Sequence, residues 1–185
     1  MTNICCYPRR AVRDTALSLS ARRFLLALCT RYDPQAVFTV SLPDIKQQTP
    51  ISPVTFRSAR AALLDADYLI LASHMDCKYP CYRFRQEQML ELNRNVCIRL
   101  LASGLPNAAT AVFLYLYDCL GAGQSELSIA EISKHSDVSR SNLCIMLKDL
   151  SEAGLLQIER RQDSSGQHFS NRYSIPGTVT ANYII

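Results

Sequence analysis

One short run stands out for residues able to do metal chemistry. His74-Met-Asp-Cys77-Lys-Tyr-Pro-Cys81 places an imidazole and two thiols within eight residues. These are donors of the kind a tetrahedral zinc site uses, and Cys5 or Cys6 would supply a fourth. No second cysteine pair follows at zinc-ribbon spacing. The expectation is therefore incidental thiols at a hairpin tip, with no metal and no cofactor. Other chemistry is thinly represented. The chain has 3 histidines, too few to suggest acid–base catalysis. It has no phosphate-binding glycine loop, no dinucleotide fingerprint and no nucleophile elbow. No enzyme constellation emerges, and the chain is expected not to be an enzyme.

The composition fits a folded chain with a substantial core. Of 185 residues, 48% are apolar and 19% charged, enough to bury a core in one ordinary domain or two small ones. No apolar run reaches the roughly 18 residues of a membrane span. The N-terminus lacks the apolar centre of a signal peptide, so a cytoplasmic location without a membrane partner is expected. The 8 cysteines include Cys29, Cys97, Cys119 and Cys144 inside helix-patterned segments, where buried, reduced thiols serve as small hydrophobes. Charge is uneven. Residues 1–103 carry 14 Lys and Arg against 8 Asp and Glu, while residues 104–185 carry 6 against 8. A basic half permits a polyanionic partner without demanding one.

The elements that must position any site come from an internal repeat. Shifted by 87 residues, 41–71 lies on 128–158 without a gap. Ser41 meets Ser128, Ile45 meets Ile132, Ser52 meets Ser139, Phe56 meets Leu143, Leu63 meets Leu150 and Leu69 meets Leu156. The matches fall on capping and apolar positions, which a shared fold would constrain. In the second copy, Pro106 opens a helix, and Ser128 with Glu131 spells a capping box. Asp137-Val138 is a turn, and Ser139 caps a helix buried through Leu143, Met146, Leu147 and Leu150. Gly154 ends that helix with a left-handed cap. Strands over 155–161 and 168–175 close a hairpin. The first copy repeats the order: a helix over 19–32 capped by Ser18 or Ser20, another from Ser41, a third from Ser52-Pro53, then a hairpin over 68–85. The spacing of Met89, Leu92, Val96 and Leu100 predicts a connecting helix over 87–103. Arg22-Arg23, at a helix start, reads as solvated surface. The tail 176–185 ends on apolar residues and would dock on the body or a partner.

The run 128–156 resembles a winged helix-turn-helix. The following Asn171-Arg172-Tyr173-Ser174-Ile175 resembles a closing wing strand of bacterial regulators and of phage or plasmid replication proteins. The likeness covers about 70 residues of the second half, and a weaker likeness reaches the first half through the repeat. The fold class implied is mainly α with small β-hairpin wings: two tandem winged helix-turn-helix domains over 1–86 and 105–185, joined by a helix over 87–104. The resemblance implies that the third helix of each unit enters the major groove and the wing meets the backbone. Candidate DNA-binding residues are then Ser52, Thr55, Arg57, Ser58 and Arg60 in the first unit. In the second they are Ser139, Arg140, Ser141, Asn142 and Lys148. Wing candidates are Arg83, Arg85, Arg160, Arg161, His168 and Arg172. Arg suits guanine O6 and N7, and Asn suits adenine N6 and N7. A blander reading stands beside each: Ser52 and Ser139 are helix caps, the arginines are solvated surface, and Lys148 pairs with Glu152.

The function expected is sequence-specific binding of double-stranded DNA by a transcription regulator, through helices 52–66 and 139–153. Two units would read adjacent half-sites, which leaves room for a symmetric homodimer. Two rivals share these features: a plasmid- or phage-type replication initiator, and a winged-helix interaction subunit without DNA affinity. Charge favours the first unit as the DNA grip, and the cleaner motif favours the second.

Overall fold

The computed structural model describes residues 3–72, 79–161 and 170–176. Two helices form its centre. Helix α1 (Leu19–Arg31) starts at Ser18, whose hydroxyl accepts the Ala21 amide at 3.2 Å. Ten of its thirteen residues are buried, so it is covered on nearly every side. Ahead of it, β1 (Ile4–Pro8) leads into a one-turn 3-10 helix at Arg9–Val12. Helix α5 (Asn107–Gly121) is similarly enclosed, from Ala109 through Leu116 and again at Asp118 and Cys119. The two helices pack against each other, and a single hydrophobic core runs through both halves of the chain.

From α1 onward the chain runs through β2 (Phe38–Thr39), α2 (Leu42–Lys46), α3 (Pro53–Asp65), β3 (Leu69–Ala72) and β4 (Cys81–Phe84). From α5 it runs through β6 (Glu126–Leu127), α6 (Ile129–Ser136), α7 (Arg140–Glu152), β7 (Gln157–Glu159) and β8 (Asn171–Ser174). The order of elements is the same, and α3 and α7 begin and end 87 residues apart. Each series closes a three-stranded antiparallel sheet with its last strand in the middle: β2-β4-β3 and β6-β8-β7. The agreement extends to backbone conformation. Gly154, after α7, has φ 65°, and Asp67, 87 residues earlier, has φ 63°. The turn into the hairpin needs the left-handed region at that position, and in the first series an aspartate holds it.

Several sequence expectations change. The predicted helix over 87–103 is a strand followed by a helix: β5 (Met89–Asn93) and α4 (Arg94–Ala102). β5 pairs antiparallel with β1, from Ile4 opposite Asn93 to Pro8 opposite Met89. Met89 and Leu92 fit helical spacing, but so short an apolar run fits a strand equally well, and β1 supplies the ladder partner. The Asn93 side chain then caps α4, accepting the Asn95 and Val96 amides at 3.1 and 3.3 Å. Pro106 stands one residue before its helix rather than inside it.

Arg22 and Arg23 are not solvated surface; they are 0% and 4% exposed. Arg22 donates to the carbonyls of Leu17, Asp14 and Ser136. Arg23 donates to Thr49 Oγ1 at 2.8 Å, Leu105 O at 2.7 Å, Leu101 O at 2.8 Å and Thr110 Oγ1 at 3.3 Å. It thereby ties α1 to α4, to the loop after it and to α5. Burial holds its guanidinium below its ordinary pKa. Arg9 and Arg13 add a second tie, reaching the buried Asp118 of α5 at 2.7 and 3.1 Å.

The cysteines divide. Cys29, Cys97 and Cys119 are buried, and burial pushes the Cys29 thiol well above its usual range. Cys144 is exposed: it follows Leu143 on α7 and turns off the buried stripe. Cys81 is buried on β4, while His74 and Cys77 lie outside the described residues. Among the described residues, no helix is long and apolar enough to cross a membrane.

Candidate nucleic-acid interface

The starts of α3 and α7 hold most of the predicted helix residues, with Arg60 and Lys148 further along their helices. In the second series the support is α6 and the turn after it. Ser128 Oγ accepts the Glu131 amide at 3.2 Å, and Glu131 Oε2 accepts the Ser128 amide at 2.9 Å, completing the capping box. These bonds, first the Ser128 backbone and then its hydroxyl, hold the Glu131 carboxyl below the usual carboxylate range. Asp137 turns the chain at φ 60°. Ser133 Oγ donates to the Val138 carbonyl at 2.7 Å, and Val138 is itself buried. Leu143, Met146, Leu147 and Leu150 press α7 onto the core. Arg140, Ser141, Asn142 and Lys148 are left exposed.

Ser139 occupies the N-cap position without acting as a cap. Its hydroxyl makes no bond to the helix backbone and lies 3.4 Å from Ser141 Oγ. The start of α7 therefore keeps its free amides and positive dipole end, with two hydroxyls beside them. Ser52, at the matching position, does cap α3, accepting the Thr55 amide at 3.0 Å. Its hydroxyl also lies 2.8 Å from Thr55 Oγ1, and Ser58 Oγ donates to the Thr55 carbonyl. The hydroxyls at the start of α3 are thus already engaged locally. Ser52→Ala should cost about 1 kcal/mol of stability and Ser139→Ala close to nothing, read by urea unfolding. Equal losses would show that Ser139 caps in solution.

The cations sort by partner. Arg57, exposed on α3, and Arg83, exposed on β4 opposite Ile70, form no ion pair among the described residues. Arg60 lies half-buried with its guanidinium 5.6 Å from the Phe56 ring centroid. Arg85 is 3.9 Å from Asp67, and Lys148 is 3.6 Å from Glu152, both exposed pairs of small worth. In the second sheet, Arg172 stands in register opposite both Glu126 and Glu159. Arg161 is bonded to Glu126. Arg140 and Arg160 are exposed and form no ion pair among the described residues. His168 lies outside the described residues.

This sorting removes most of the first half's charge advantage. Arg22 and Arg23 are buried, Arg9 and Arg13 hold Asp118, Arg10 pairs with Glu87, and Arg31 pairs with Asp44. Among the described candidate residues, the exposed arginines without an ion pair are then Arg57 and Arg83 in the first half and Arg140, Arg160 and Arg172 in the second. A groove of about 380 Å³ also runs between α7 and the second sheet, with Ile129, Leu147 and Ile158 in its wall and Lys148 and Arg160 along it.

Sequence reasoning passed over Val54 and Ile145, which are large apolar side chains 68% and 53% exposed on α3 and α7. Their spacing was the available signal: neither belongs to its helix's buried stripe.

Among known protein families, the IclR helix-turn-helix domain matches residues 114–159. The match spans the end of α5, all of α6 and α7, and β7, and it points to a DNA-binding transcription regulator of the helix-turn-helix type. No curated protein and no solved structure matches the chain.

Proposed function

We propose that the chain is a sequence-specific transcription regulator built as two tandem winged helix-turn-helix units. In this reading the starts of α3 and α7 enter successive major grooves of duplex DNA, and the sheets β2-β4-β3 and β6-β8-β7 lie along the backbone. One observation carries it. Within the stretch similar to the IclR helix-turn-helix domain, α7 is pinned by a buried stripe while its first turn offers free amides, Arg140 and Asn142 to solvent. Arg140 and Asn142 suit guanine and adenine edges respectively, and the open amides with Ser139 and Ser141 suit a phosphate. Repetition of the elements gives a single chain two half-site readers, so two adjacent half-sites need no second copy.

Selection of bound sequences from a random duplex library tests the proposal. The expected result is an enriched motif with two conserved blocks. Arg140→Ala should relax preference at one base pair of one block and weaken binding about tenfold or more there. Arg57→Ala should do the same in the other block. No enrichment, together with no binding at low salt, would overturn the reading.

A further inference from the structure

We propose that Val54 and Ile145 are specificity-determining residues that read thymine methyl groups. This rests on the DNA-binding reading above. Val54 is the most exposed large apolar side chain among the described residues, at 68%, and Ile145 stands 53% exposed. Neither serves the core: α3 is buried through Phe56, Ala59 and Leu63, and α7 through Leu143, Met146, Leu147 and Leu150. Neither serves its helix either, because β-branched residues lose side-chain freedom there and rank below alanine, lysine or glutamate.

Their neighbours identify the partner. Val54 shares a face with Arg57 and Ser58, three and four residues on, and both are exposed. Ile145 shares one with the exposed Ser141 and Asn142, four and three residues before, and with the exposed Lys148 and half-buried Asp149, three and four after. An apolar side chain set among hydrogen-bonding groups, with a cation one turn away, complements a polyanion that carries isolated apolar groups. The major groove offers one such group on its base edges, the C5-methyl of thymine. The two residues do not occupy matching positions. With the 87-residue shift, Val54 aligns with Ser141 and Ile145 with Ser58. The apolar contact therefore sits one turn further along α7 than along α3, and the two units should require thymine at different places in their half-sites.

The test uses the duplex enriched by the selection above, with each thymine replaced in turn by uracil, which pairs identically but lacks the methyl. For the unaltered protein, uracil should weaken binding about fourfold at one position in each half-site, the worth of one buried methyl. Val54→Ala should become indifferent to the replacement in one half-site and Ile145→Ala in the other, with both variants keeping the parent melting temperature. Binding that ignores uracil at every thymine would overturn the inference while leaving the DNA-binding reading intact. So would variants that stay as sensitive to uracil as the parent. Failure to bind any duplex at low salt would overturn both.

Discussion

Arg23→Met is expected to lower the stability of the fold by about 4 kcal/mol. The side chain is 4% exposed and donates to four acceptors, none of them a carboxylate. Two are carbonyls at 101 and 105, and two are hydroxyls on Thr49 and Thr110. All four are fixed by elements that would remain after the substitution. Methionine fills much of the volume but leaves the acceptors buried and unpaired, each costing about 1–3 kcal/mol before relaxation. The loss should appear as a fall in melting temperature of roughly 10 °C. Arg23→Lys should recover little, because one ammonium group cannot span acceptors arranged around a planar fork. A fall below about 2 °C for Arg23→Met would mean that its four hydrogen bonds add little to holding the halves together.

The second large effect concerns salt. Between 50 and 200 mM monovalent salt, affinity for duplex DNA should drop by about 10² to 10³. The exposed cations flanking the two long helices are Arg57, Arg83, Arg140 and Arg160, with Lys148 beside them. If about four or five of them displace condensed counterions, Arg57 and Arg140 from within the groove and the others at phosphates, the slope of log affinity against log salt is about −4. Arg83→Ala should make that slope shallower by about one. Arg172→Ala should change it less, because Arg172 already faces Glu126 and Glu159 across the strands. Anisotropy titrations at four salt concentrations would measure this. A slope shallower than about −1 would exclude phosphate neutralisation as the main source of affinity.

What the sequence made legible was local. The Ser128–Glu131 capping box, the Val138 turn and the apolar stripe of α7 each depend on residues within a few positions of one another. The 87-residue shift carried the same grammar into the first half, and α3 begins and ends where α7 predicts. What escaped depended on contacts distant in sequence. Arg22 and Arg23 look like a solvated helix start until α5 closes over α1 and the segment 101–110 offers carbonyls to Arg23. Residues 89–93 fit a helical period, and only β1, more than 80 residues earlier, draws them into a strand. The charge of the first half is likewise not all available at the surface. A count of arginines does not show which of them are engaged with Asp118, Glu87, Asp44 or buried carbonyls. Ser139 sits at the expected N-cap position without its capping bond, since the residue type and position of a cap do not ensure that its hydroxyl turns toward the helix amides.

A single competition measurement bears most directly on the idea that these two helices recognise DNA sequence. The duplex recovered by selection, and a shuffled version of identical length and composition, would be titrated against the full chain at 150 mM salt. Sequence recognition by α3 and α7 requires at least about a 10³-fold preference for the selected duplex. Equal affinity for the two, or no detectable binding to either at reduced salt, would contradict it.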